Sequence, residues 1–166
     1  MKRVLATGAA LVVAVGGMGL AQAQQPSGYK VNGGGQVILD SSQPTQGPGD
    51  TVAFTAQQTA GTAARGQFQY VERDSNQQTA NVHGSVTCLR VEGQRAIIEG
   101  VITRGGESTF RIDIEDAGRS SQGEDIVTVT FPQESSDCED DVTVDDDFRL
   151  ARGNVTIHQP NGGSGR

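Results

Sequence analysis

The densest chemistry in this chain is an acidic run near its C-terminal end. Glu134, Asp137, Glu139, Asp140, Asp141, Asp145, Asp146 and Asp147 place eight carboxylates within 14 positions. Crowded carboxylates beside main-chain carbonyls suit a hard cation such as Ca2+, which takes about six to eight oxygen ligands. Asp137, Glu139, Asp140, Asp141, Asp145, Asp146 and Asp147 are therefore candidate calcium ligands, and calcium is the one candidate cofactor. The pattern is not an EF-hand, which needs alternating acids, a central Gly and a distal Glu. A run of like charge is more commonly a solvated face.

The other reactive side chains give weaker patterns. Asp113 and Glu115 share one face of an alternating segment, the spacing a carboxylate pair would need, beside Asp116. An ordinary polar strand face has the same pattern. His83 and His158 are the two histidines; a metal site would require their strands to be neighbours. Gly105-Gly106 lacks the central Ser of a nucleophile elbow, so no catalytic residue is expected. Cys88 and Cys138 are the two cysteines and form a candidate disulfide, the alternative being two separate thiols. Without adjacent His they make no tetrahedral zinc site.

The segments that must position these residues read as strands. Val52, Phe54 and Ala56 alternate within 51–57, Phe68 and Tyr70 within 67–72, and Phe110, Ile112 and Ile114 within 108–115. Val127, Val129 and Phe131 alternate likewise, and short candidates lie at 36–39, 148–151 and 154–158. Over 81–92 the apolar set changes parity, from Val82, Val86 and Cys88 to Leu89 and Val91. Parity changes only at a bulge, so an irregularity near Cys88–Leu89 is predicted, or else a strand covered on both faces. Residues 95–103 are nearly continuously apolar, as in a strand covered on both faces. Gly66, Gly84 and Gly100 fall at or inside strands, where close strand approach or a bend explains them. No long amphipathic helix is seen. The expected fold is all-β: one antiparallel β-sandwich or β-barrel of about eight to nine strands.

Residues 1–23 have the build of a signal peptide: basic Lys2 and Arg3, an apolar run, then Ala21-Gln22-Ala23. Residues 24–35, ending in Asn32-Gly33-Gly34-Gly35, read as a flexible arm. The β-domain is expected over 36–159 and a flexible polar tail over 160–166. A secreted, extracellular location follows from the signal reading and permits a disulfide. With 13 basic and 20 acidic residues the formal net charge is −7. Such a chain is repelled by nucleic acid and by anionic membranes, so neither is an expected partner. No stretch after Gln24 is apolar enough to span a bilayer. There is no Trp, which disfavours a carbohydrate module unless Tyr29 or Tyr70 is exposed.

The segments Gly66-Gln-Phe-Gln-Tyr, Asn81-Val-His-Gly-Ser-Val-Thr-Cys-Leu-Arg-Val-Glu-Gly and Ala96-Ile-Ile-Glu-Gly carry a resemblance. Together with Phe110-Arg-Ile-Asp-Ile-Glu-Asp and Asn154-Val-Thr-Ile-His, they are similar to a family of small secreted bacterial β-domain proteins. That family is related to the domain following choice-of-anchor segments in surface proteins. The resemblance spans roughly Gly33 to Gln159 and implies fold and export, but supplies no catalytic residue. The expected function is a secreted non-enzymatic binding or surface-interaction module, its partner a protein, a cell surface or a small apolar ligand. The alternatives are a calcium-stabilised structural protein, a small-ligand-binding barrel and a hydrolase.

Overall fold

The computed structural model describes residues 28–38, 49–73, 79–106, 108–118, 125–144 and 149–160. Eight strands follow in chain order: β1 (Gly28–Ile38), β2 (Asp50–Thr59), β3 (Arg65–Arg73), β4 (Thr79–Glu92), β5 (Arg95–Arg104), β6 (Thr109–Glu115), β7 (Ile126–Thr130) and β8 (Arg149–His158). Each is antiparallel to the next, and β8 returns to β1, closing a barrel. Closure is the choice the sequence left open between barrel and sandwich, and it removes both sheet edges.

Alternation drives the strands inward. Val52, Phe54 and Ala56 of β2 are buried while Ala53, Thr55 and Gln57 face out. Phe110, Ile112 and Ile114 of β6 are wholly buried. An eight-stranded barrel is just wide enough for side chains to fill it. Phe68 stacks on Phe110 with ring centroids 4.3 Å apart, and Phe131 meets Tyr70 edge-on at 5.7 Å.

The irregularity predicted near Cys88–Leu89 is a bulge in the β4–β5 pairing, between Val86 and Cys88. Thr87 is the extra residue, so Leu89 takes over the inward position and Cys88 turns outward. Two glycines explain how the Phe110 ring fits. A Cβ on Gly84 would stand 2.5 Å from Cε1 of Phe110, and one on Gly100 2.7 Å from the same atom. The ring lies flat where these strands carry no side chain.

β7 is short, and one residue pair, Ile126 with Arg149, joins it to β8. Side chains supply the missing acceptors at this seam. Asp125 accepts from the Val155 N–H at 2.7 Å and from Ala117 N–H at 3.1 Å. Asp116 accepts from the Ile157 N–H at 3.1 Å.

Two expectations are corrected. Residues 28–35 of the supposed flexible arm form most of β1, with Gly33, Gly34 and Gly35 paired on both sides to β2 and β8. Glycines here permit close packing, since a Cβ on Gly35 would stand 1.9 Å from the Arg152 carbonyl oxygen. The two candidate strands at 148–151 and 154–158 are one continuous β8, bent where the β1 register shifts between Gln36 and Val37. Residues 1–27, including the signal-peptide segment, and 161–166 of the tail lie outside the described residues.

Candidate functional site

The barrel has two contrasting outer faces. The first is covered. Residues 132–144 run as a strap across the outside of β4, β5 and β6, and Arg111 of β6 is its anchor. The Arg111 guanidinium forms a two-pronged pair with Asp113 at 2.7 and 2.8 Å and reaches Glu99 of β5 at 3.2 Å. It also donates to the Asp141 carbonyl at 2.7 Å and meets Asp140 at 3.4 Å. Arg90 of β4 donates to three successive strap carbonyls, of Cys138, Glu139 and Asp140, at 2.9 to 3.0 Å.

Glu99 is 1% exposed and fully engaged. It accepts from the Ser135 and Ser136 hydroxyls, both at 2.6 Å, from the Ser136 N–H at 3.0 Å and from the Cys138 N–H at 3.3 Å. Burial pushes its carboxyl up, but these donors and Arg111 outweigh that and hold it below the usual carboxylate range. Cys88 and Cys138 lie at disulfide distance with Cα atoms 6.1 Å apart, fixing the strap to β4. Asp137 and Cys138 both have positive φ, 52° and 58°. This left-handed pair costs about 1–2 kcal/mol per residue, offset by the Glu99 contacts that the turn makes possible.

The acidic run is thus placed as follows. Cys138 is buried, while Asp137, Glu139, Asp140 and Asp141 have exposed side chains; two arginines hold the carbonyls of Glu139, Asp140 and Asp141, and the Asp137 N–H donates to the Ser135 hydroxyl. The described strap is packed on the barrel, not a free solvated loop. Among the described residues no three His, Cys, Asp or Glu side chains converge as a metal-holding group. Asp145, Asp146 and Asp147 lie outside the described residues. Asp113 and Glu115 are each engaged with an arginine, Arg111 and Arg95. His83 and His158 are on β4 and β8, which are not neighbours.

The second face is open. A groove of about 540 Å3 lies on the outer surface of β1 to β5. Two cross-strand rows build it. Asn32, Thr55, Gln67 and Ser85 stand opposite one another, continued by Val101, which is 45% exposed. Gly34, Ala53, Gln69 and His83 form the next row. Thr103 closes the β5 side, its hydroxyl donating to the His83 carbonyl at 3.2 Å.

These side chains offer amides and hydroxyls that both donate and accept. Sequence reasoning missed them because outward polar residues on a strand look alike whether the surface beneath is convex or concave. The parity of β2 and β3 was legible through Val52, Phe54, Ala56, Phe68 and Tyr70, and Thr55, Gln67 and Gln69 occupy the alternate, exposed positions. Val101, read as part of a doubly covered strand, is exposed because the strap covers β5 only as far as Glu99. Tyr29 is 38% exposed beside Lys30 but lines no part of the groove. No helix among the described residues is long and apolar enough to cross a membrane. No family model, curated protein or solved structure matches this chain.

Proposed function

We propose that this protein is an exported, non-enzymatic binding module whose ligand lies in the groove across β1 to β5. The groove itself carries the reading: about 540 Å3 of concave surface lined by hydrogen-bonding side chains on paired strands. Rigid strands fix the backbone of these groups before binding, so the ordering cost is confined to their side chains. Ser85 and His83 share the outward face of β4, the only pairing there that suggests nucleophilic chemistry. Among the described residues the groove lining holds no carboxylate to orient the imidazole, as a Ser–His–acid arrangement requires.

Filling the groove is the direct test. Ser85 is an exposed lining residue, so Ser85→Tyr is compatible with the strand and projects into the space. Calorimetric titration against a panel of saccharides and peptides should show a ligand for the unmodified protein and at least a tenfold weaker response for Ser85→Tyr. Equal binding by both proteins, at an unchanged melting temperature, would place the ligand elsewhere.

A further inference from the structure

We propose that the groove takes an extended acidic polysaccharide, its hydroxyls on the Asn32–Thr55–Gln67–Ser85 row and its carboxylates against Lys30, Arg65 and Arg104. This assignment rests on the reading of the groove as a binding site and adds the class of ligand.

Charge is the first observation. The chain has a formal net charge of −7, yet β1 to β4 carry no Asp or Glu at 30–36, 51–57, 65–71 and 81–85, the exposed Glu72 lying beyond this stretch towards the end of β3. Cations border the groove instead. Lys30 and Arg65 stand on either side of Gln57 in the row next to Asn32, Thr55 and Gln67. Arg104 stands opposite His83 on the other flank. All three are exposed, and none pairs with a carboxylate among the described residues. On the strapped face, by contrast, Arg90, Arg95 and Arg111 are all committed to acids.

The chemistry between these cations is the second observation. Amides and hydroxyls with both donor and acceptor capacity match sugar hydroxyls, which have the same dual character. Successive members of a row are separated by the strand spacing, about 4.8 Å, close to the advance of one sugar ring along an extended polymer. Val101 ends the row with an exposed apolar surface suited to the C–H face of a ring. With no aromatic ring exposed in the groove, affinity rests on hydrogen bonds and charge. Exposed charges are screened by salt, so binding should weaken as ionic strength rises.

Affinity electrophoresis of the whole chain through gels containing polygalacturonate, dextran or polyglutamate separates the components. Polygalacturonate should retard the protein strongly at low salt, dextran weakly, and polyglutamate not at all. The double change Arg65→Gln with Arg104→Gln should weaken polygalacturonate binding at least tenfold and leave the weak dextran response unchanged. Glu139→Gln, on the strap, should change neither. Equal retardation by polyglutamate would reduce the effect to charge alone and overturn the assignment. Dextran or a peptide bound through the groove without polygalacturonate would overturn the acidic-polymer assignment and leave the groove standing. Failure of every member of the panel to bind would overturn both.

Discussion

Glu99 and Arg111 are the residues on which the covered face depends. Glu99 lies in a run that reads as nearly continuous apolar, and its neighbours Ile97 and Ile98 are fully buried. An acid in such a run signals a buried pair, but which partner it meets depends on the strap, whose path leaves no periodic trace in sequence. Glu99→Gln removes the charge from this pocket and should cost about 2 kcal/mol in chemical denaturation, because Arg111 keeps Asp113. The pH dependence follows from the lowered carboxyl. Unfolding lets Glu99 return to its ordinary range, so the unfolded chain binds the proton more readily. The stabilisation is complete above about pH 4.5 and is lost as pH falls through the lower folded value. Denaturant midpoints measured from pH 7 to pH 3 should fall less steeply in Glu99→Gln than in the parent, and identical slopes would contradict this role. Tyr70 responds in the opposite direction. Burial, with the hydrogen bond to Asp50 and its charge, pushes the phenol well above the ordinary value. It therefore stabilises the fold at lower pH, and this is lost as pH rises beyond about 10, the ordinary phenol value. Absorbance titration should show a late phenolate step that Tyr70→Phe removes.

At the scale of elements, alternation made β2, β3, β6 and β7 legible, since in each every second residue packs against one core, although β6 and β7 bury residues of the other face as well. The parity change in β4 also marked its bulge. Two elements were hidden for physical reasons. β1 carries three consecutive glycines, which signal freedom in isolation but here admit β2 and β8 to close distance. The strap has acids that signal solvent, but its carbonyls, invisible in sequence, are taken by Arg90. Cys88→Ser with Cys138→Ser should lower stability by up to about 4 kcal/mol for a closed loop of roughly 50 residues. Protease sensitivity should appear first in the strap, and intact mass of the parent should be lower by two hydrogens than the reduced form. Gly84→Ala tests the ring-on-glycine packing. The added methyl collides with Phe110, which is fully buried, so a loss of about 1–3 kcal/mol is expected. Trimming Phe110 to Leu in the Gly84→Ala background should cost less than the same change in the parent.

Over the whole molecule, closing the barrel divides the surface by task. The β4–β6 side is covered by an arginine-held strap, and the β1–β5 side keeps a groove bordered by cations that pair with no carboxylate among the described residues. The all-β class was legible from the short alternating segments. Closure was not, because it depends on β8 pairing with β1 across nearly the full length of the chain and on Asp116 and Asp125 sealing the short β7. Asp125→Ala would strip acceptors from the Val155 and Ala117 N–H groups and should cost about 3 kcal/mol. The division of the surface is tested most directly by mapping backbone amide shifts in isotope-labelled protein during titration with oligogalacturonate. Shifts should concentrate at Asn32, Thr55, Gln67, Gln69 and Ser85 and leave residues 132–144 unmoved. Shifts confined to the strap, with the groove amides silent, would contradict the division.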